Sequence, residues 1–186
     1  CLSQKKDLID FSSNDYLGLS RLKSIQETTE QTLKNFLFAN GATGSRLLSG
    51  NHAIHEAFES YLTKYFEQEA TLLFNSGYDA NIGFFSSVPQ RGDVILYDEL
   101  VHASIRDGIK MSDAKSYKFK HNHLTDLESK IQIAARVQSE TRGASTYMVT
   151  ESVFSMDGDS PDLKQMVDIC SKNNVFVIVD EAHALG

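Results

Sequence analysis

An acid and a histidine stand three residues apart behind an uninterrupted apolar run near the end of the chain: Val175-Phe176-Val177-Ile178-Val179, then Asp180-Glu181-Ala182-His183. Five apolar residues, mostly β-branched or aromatic, read as a strand buried on both faces, as in parallel sheets. Ligands of open α/β sheets sit beyond the carboxyl ends of the strands, so Asp180 and His183 stand where chemistry is done. Ser76-Gly77-Tyr78 joins a strand to a helix; Gly77 permits close approach, so free N–H groups and the helix dipole can hold a phosphate. His102 opens a helix after Asp98-Glu99-Leu100-Val101 and is placed to lie flat on an aromatic ring. Ser155, just past a strand in the run 151–159, offers a hydroxyl to a ligand oxygen. Taken singly, His102 is a cap or surface histidine and Ser155 a loop serine.

The elements that must position these residues follow from pattern. From residue 70 onward, expected strands at 71–74, 93–97, 116–120, 146–151 and 175–179 alternate with expected helices at 78–88, 102–111, 124–138 and 161–171. Ser160 before Pro161 reads as an N-cap and first helical residue, and Asn173-Asn174 closes that helix. The alternation predicts βαβ units: an α/β fold with a mainly parallel sheet flanked by helices. Ahead of it lie a strand near 8–11, a helix at 24–38, a glycine-punctuated loop at 41–51 and a helix at 52–68. In that last helix Ile54, Phe58, Tyr61, Leu62 and Tyr65 share one face. The chain accordingly divides into 1–50 (strand, helix, glycine-rich loop) and 51–186 (an incomplete cofactor-binding α/β large domain).

Composition narrows the partners. In 186 residues the net charge of -7, with no dominant Lys/Arg cluster, weighs against nucleic acid. Lys115, Lys118 and Lys120 alternate with Ser116, Tyr117 and Phe119 and mark the solvated side of a strand. Apolar runs are strand-length, far short of the ~20 residues a bilayer needs, and no signal-peptide pattern opens the chain. The expected location is the cytoplasm, with no membrane partner. Cys1 and Cys170 form no motif; Cys170 shares helical spacing with Leu163, Met166 and Val167 and is expected in the core. His52 and His55 lack a third ligand nearby, so no metal is expected. Beginning at Cys1 and stopping at Leu185-Gly186, the chain reads as a piece of a longer protein.

Two machines share the last motif. Letter for letter it is the Asp-Glu-Ala-His box of a nucleic-acid helicase, and it also resembles the aspartate strand of a pyridoxal-phosphate enzyme. A helicase box works with an upstream Gly-x-x-x-x-Gly-Lys-Ser/Thr phosphate loop, and neither 41–51 nor any other stretch supplies one. A helicase or ATPase remains the remote alternative. The second machine needs a phosphate cup, a stacking group, an acid for the pyridine nitrogen and donors to the ring oxygen, and this chain has a candidate for each.

The strings 11–19 (Phe-Ser-Ser-Asn-Asp-Tyr-Leu-Gly-Leu), 44–50 (Gly-Ser-Arg-Leu-Leu-Ser-Gly), 76–81 (Ser-Gly-Tyr-Asp-Ala-Asn), 101–104 (Val-His-Ala-Ser), 151–159 (Glu-Ser-Val-Phe-Ser-Met-Asp-Gly-Asp) and 179–186 (Val-Asp-Glu-Ala-His-Ala-Leu-Gly) resemble, in order and over nearly the whole length, the α-oxoamine synthases. These are pyridoxal-phosphate enzymes of the aspartate-aminotransferase fold. The resemblance implies pyridoxal 5'-phosphate as cofactor, with Ser76, Gly77 and Tyr78 at its phosphate, His102 stacked on the ring, Asp180 on the pyridine nitrogen, and Ser155 and His183 on the ring oxygen. It implies that Asn14, with His102, meets the amino-acid substrate, and that His102, Asp180 and His183 are the catalytic set. Glu151 either orients these groups or is a mere strand-end acid. The implied reaction is decarboxylative condensation of an amino acid with an acyl-CoA to an α-amino ketone, in a homodimer. The opening at 14–19 and the run 154–160 are nearest to the member that joins alanine to a pimeloyl thioester in biotin synthesis, although relatives using glycine or serine share most of these strings. The family's Schiff-base lysine lies on a later strand, so this stretch alone is expected to be inactive. A non-catalytic binding protein keeping the fold is the alternative of another class.

Overall fold

The structure, a computed structural model, describes residues 9, 11–36, 41–139, 141 and 143–185. The chain forms two compact units, residues 1–72 and 73–186.

The first unit carries a 3-10 turn at Leu19–Arg21 and helices α1 at Lys23–Lys34 and α2 at Ala53–Tyr65, and neither helix buries a residue. Helix α1 stops four residues short of the expected 38, with residues 37–40 outside the described ones, as are residues 8 and 10 of the strand expected near 8–11. Glycine is required in the loop after α1: a Cβ at Gly50 would overlap the carbonyl oxygen of Gly44. The guanidinium of Arg46 pins this loop to α2 by a bidentate pair with Glu59, at 2.6 and 2.9 Å. The His52 N–H donates to Nδ1 of His55 at 3.1 Å, which ties the two histidines to the start of α2.

The second unit is built on four parallel strands: β1 Val94–Asp98, β2 Lys115–Phe119, β3 Thr146–Glu151 and β4 Val175–Asp180, in the order β2-β1-β3-β4. Helices α3 (Gly77–Ser87), α4 (Ala103–Met111), α5 (Leu124–Gln138) and α6 (Leu163–Lys172) cover it. Side chains alternate across the sheet, so Val94 and Leu96 pack with Leu127 and Ile131 of α5 and Met166 and Cys170 of α6, while Ile95 packs with Phe85 of α3 and Ile105 and Ile109 of α4. Helices α5 and α6, which carry the chain one way across the sheet, lie on one face; α4, which carries it the other way, lies on the opposite face. A single crossover hand demands that arrangement. It places the switch point between β1 and β3, where the helices that follow diverge and leave a crevice at the carboxyl ends.

Four expectations change. Residues 71–74 form no strand: Phe74 lies against α3, where a Cβ at Gly83 would meet its ring at 3.0 Å, and among the described residues no strand offers the segment a ladder. Helix α6 starts at Leu163 with Asp162 as N-cap, its carboxylate accepting the Gln165 N–H at 3.0 Å and the Gln165 side-chain amide at 2.6 Å, so the acid fixes the start two residues past Ser160. Strand β4 is not buried on both faces; among the described residues it is an edge strand, and Phe176 stays 59% exposed. Its ring still stacks on Tyr147 of β3 at 5.5 Å. In α6, Met166 and Cys170 reach the core as expected, with the Cys170 thiol pushed up to about 11 by burial, but Val167 points outward.

Candidate active site

The carboxyl ends of β1, β3 and β4 and the first turns of α3 and α4 converge on one polar network. Registered pairing sets Glu151 beside Asp180 at the ends of β3 and β4. The Asp180 carboxylate is held by two donors: Oδ1 accepts the Ala182 N–H at 3.0 Å and Oδ2 accepts the Asn81 amide at 2.9 Å. Its backbone carbonyl accepts the Ser152 N–H at 3.0 Å, which fastens the end of β4 to the loop beyond β3. Two donors fix the orientation of the carboxylate, which retains lone pairs for a further N–H.

The amide nitrogen of Asn81 also lies 3.0 Å from the hydroxyl of Ser104, which is fully buried. That hydroxyl sits 2.7 Å from Nδ1 of His102, and Nδ1 further accepts the Ser104 N–H at 3.2 Å. With Nδ1 accepting from the backbone, the hydroxyl donates to the ring and accepts from Asn81, and the ring hydrogen falls on Nε2. His102 thus caps α4 while its exposed ring is held edge-on by Ser104. The main chain of His102 is fixed from the other side of the switch point, its N–H donating to Oε1 of Glu151 at 2.6 Å. Burial, and secondarily the nearby Asp180, push the Glu151 carboxyl above the usual carboxylate range against the opposing pull of that N–H.

Helix α3 begins at Gly77 with Ser76 as N-cap, its hydroxyl accepting the Asp79 N–H at 3.0 Å. The Gly77 and Tyr78 amides belong to the first turn, which has no carbonyl above it. A Cβ on Gly77 would meet nothing within 4 Å, so an anion has room to approach these N–H groups. The Tyr78 phenol turns away, donating to Asp107 of α4 at 2.9 Å, and that bond raises the phenol and lowers the acid. What faces the anion site is therefore backbone.

Of the residues singled out in the sequence, the structure joins His102 and Asp180 through Asn81 and Ser104, and sets Ser76, Gly77 and Tyr78 on the helix that carries Asn81. Ser155 lies exposed in a turn beyond β3, and His183 in the turn after β4. Asn14 belongs to the first unit, where its Oδ1 accepts the Tyr16 hydroxyl at 3.4 Å. A cavity of about 560 Å³ in that unit, lined by residues such as Phe36, Asn51 and His52, holds none of the expected site residues. Sequence reasoning missed Asn81 and Ser104. The signal for Asn81 was its place one helical turn past Gly77, on the same face of α3; Ser104 carried none beyond nearness to His102.

The chain is similar to known proteins. A Bacillus licheniformis protein provisionally named 8-amino-7-oxononanoate synthase is 45% identical over 177 residues, covering 95% of this chain and 45% of the relative. The 8-amino-7-oxononanoate synthase 2 of Bacillus subtilis is 40% identical over 176 residues, covering 95% and 43%. Among solved structures, serine palmitoyltransferase of Sphingomonas wittichii superposes with a TM-score of 0.79 at 33% identity, covering 91% of this chain and 40% of that one. The 8-amino-7-oxononanoate synthase of Francisella tularensis gives a TM-score of 0.68 at 29% identity, covering 94% of this chain and 45% of that one. The chain spans less than half the length of the relatives it matches. A family model described as aminotransferase class I and II matches residues 6–186, and by that match, over a sheet whose strand ends carry the network above, the chain belongs to the aminotransferase class I and II family.

Proposed function

We propose that the protein containing this chain is a pyridoxal-phosphate-dependent acyltransferase that condenses an amino acid with an acyl-CoA, releasing carbon dioxide and free CoA. The observation that carries the reading is the Asp180 carboxylate, held at the end of β4 by Asn81 and Ala182 beside the His102 cap. The residues fit the cofactor: a first turn with open space at Gly77 suits its phosphate, and a carboxylate oriented by the Asn81 and Ala182 donors, with lone pairs to spare, suits a pyridine N–H. Bound there, pyridoxal phosphate supplies the electron sink for bond cleavage at the amino acid's α-carbon.

The chain's own residues do the rest. The Gly77 and Tyr78 amides bind the phosphate, with Ser76 ordering the turn. His102 lies against the ring and meets the substrate, its orientation set by Ser104 and Glu151. Asp180 would hold the proton at the pyridine nitrogen of the bound group. Ser155 and His183 donate to the ring oxygen, and Asn14 contacts the amino acid. The working form is a cytoplasmic homodimer.

For the substrates we favour alanine and pimeloyl-CoA, as in biotin synthesis, because relatives 40–45% identical in sequence carry the name 8-amino-7-oxononanoate synthase. The higher TM-score of serine palmitoyltransferase supports a second reading, serine with a long-chain acyl-CoA. Side chains rather than the backbone trace line a pocket, so the first reading is preferred. The test is CoA thiol release by the full-length protein over a panel of alanine, glycine and serine with pimeloyl-, acetyl-, succinyl- and palmitoyl-CoA. Release above background with alanine and pimeloyl-CoA is expected; no release with any pair, in protein that holds the cofactor, would overturn the reading.

A further inference from the structure

A second polar cluster lies at the ends of β1 and β2 and joins the loop beyond β3. Asp98, the last residue of β1, is fully buried. Its Oδ1 accepts the Leu100 N–H and faces His121 Nδ1, both at 2.9 Å, and its Oδ2 accepts the Asn122 N–H at 2.9 Å. On the other side of the ring, Nε2 of His121 faces Oδ2 of Asp159 at 2.9 Å, and the Asn122 amide donates to the same oxygen at 2.8 Å. The second Asp159 oxygen is buried with no hydrogen-bond partner among the described residues. We propose that His121, as an imidazolium, is a positioning residue that clasps Asp98 to Asp159 and thereby holds the turn carrying Ser155.

Geometry sets the charge. A neutral imidazole has one N–H, so bonds to both carboxylates require both ring hydrogens; the Asn122 amide nitrogen, 3.1 Å from Nε2 and 2.8 Å from Asp159 Oδ2, then spends its hydrogen on the acid. The groups around the ring are of one sign where they are charged. Asp98 and Glu99 come from the end of β1, Glu99 accepting the His121 N–H at 3.2 Å; Asp159 comes from the loop beyond β3. Phe154 from that loop meets the ring perpendicularly at 4.5 Å. On the histidine's own segment, Lys120 is tied through its amide to Asp126, and the His123 ring caps α5 by accepting the Asp126 N–H. Burial opposes the charge on His121, but the bonds to Asp98 and Asp159 outweigh it and raise the ring above the usual imidazole range.

The clasp acts at the base of the turn. Phe154 N–H donates to the Asp159 carbonyl at 3.0 Å and Gly158 N–H to the Phe154 carbonyl at 2.7 Å, so residues 155–158 form a turn whose two ends are Phe154 and Asp159. His121 touches both ends. Ser155 is the first residue past that base, and its position is inherited from the clasp. As pH rises through the raised value, His121 loses one hydrogen, one carboxylate bond goes, and the turn loosens.

This role rests on the assignment of Ser155 to the cofactor, and the two are separable. In the full-length protein, hydrogen exchange of the amides at 154–159, corrected for intrinsic rate, and the dissociation constant for pyridoxal phosphate are measured at pH 6 and pH 9. The wild type and Asp159→Asn are compared, the latter chosen because the Asp159 side chain is 44% exposed and the change leaves the core intact. Protection in the wild type is expected to fall about tenfold between the two pH values, the loss of one charge-assisted bond, with a parallel weakening of cofactor binding. Asp159→Asn is expected to be weakly protected at both, without the pH step. Protection equal at both pH values in the wild type, or unchanged in the variant, overturns the clasp. Protection that changes while the cofactor constant matches between wild type and variant overturns the assignment of Ser155, and with it the positioning role.

Discussion

The side-chain amide of Asn81, on α3, bridges Asp180 at the end of β4 and Ser104 on α4, its nitrogen 2.9 Å from one and 3.0 Å from the other. One group thus sets the carboxylate and, through the Ser104 hydroxyl, the edge of the His102 ring. Both hydrogens of the amide are used, so a side chain that donates only once cannot replace it.

Asn81→Leu keeps the approximate volume and removes both donors. Loss of a hydrogen bond to a charged group costs about 1.5–3 kcal/mol, so pyridoxal-phosphate affinity of the full-length protein should fall at least tenfold. Asn81→Asp should be worse, because a second carboxylate against Asp180 disfavours ionisation of both. Titration of the apoprotein with cofactor, followed by absorbance, measures both variants.

Gly108 of α4 lies where α3 comes nearest: a Cβ there would meet the Asn81 carbonyl oxygen and the Phe85 Cβ, each at 2.9 Å. Gly108→Ala must push the two helices apart, at a cost of about 1–3 kcal/mol, more than the helix propensity it gains. The displaced atom is part of Asn81, so urea unfolding should show lower stability and a cofactor titration weaker binding.

Glu151 separates structure from charge. Its carboxyl lies above the usual range, chiefly because it is buried, so ionisation is harder in the folded protein than in the unfolded chain. Its destabilising contribution is absent below the unfolded value and complete once pH exceeds the folded one. Glu151→Gln keeps an oxygen for the His102 N–H and removes that charge. Its stability in urea relative to wild type should therefore rise as pH is taken from 4 to 8. Glu151→Ala also strands the His102 N–H, so it should be about 1–3 kcal/mol less stable than Glu151→Gln at every pH.

The unit built on the sheet was legible because periodicity and apolar runs report burial directly. Residues 146–151 and 124–138 fall in β3 and α5 with the expected bounds, and the acid after Val179 does end β4. Periodicity reports only what one segment buries, not what it finds as a neighbour. Residues 71–74 have strand-like composition yet find no ladder, and β4 has the composition of a central strand yet lies at an edge among the described residues. The same limit explains the site. Asp180 and His102 advertise themselves at strand ends, whereas Asn81 becomes informative only when α3 is laid across β4, 99 residues away in sequence. Asp98, His121 and Asp159 lie on three separate segments, and nothing in their spacing foretells that one ring bridges two acids.

The central claim is that Asp180 keeps the pyridine nitrogen of pyridoxal phosphate protonated. It is tested most directly by loading full-length protein with cofactor labelled with nitrogen-15 at the ring and recording that nucleus by NMR in the wild type and in Asp180→Asn. The shift of a protonated ring nitrogen is expected in the wild type and that of an unprotonated one in the variant at neutral pH. The same protonated signal in both would contradict it.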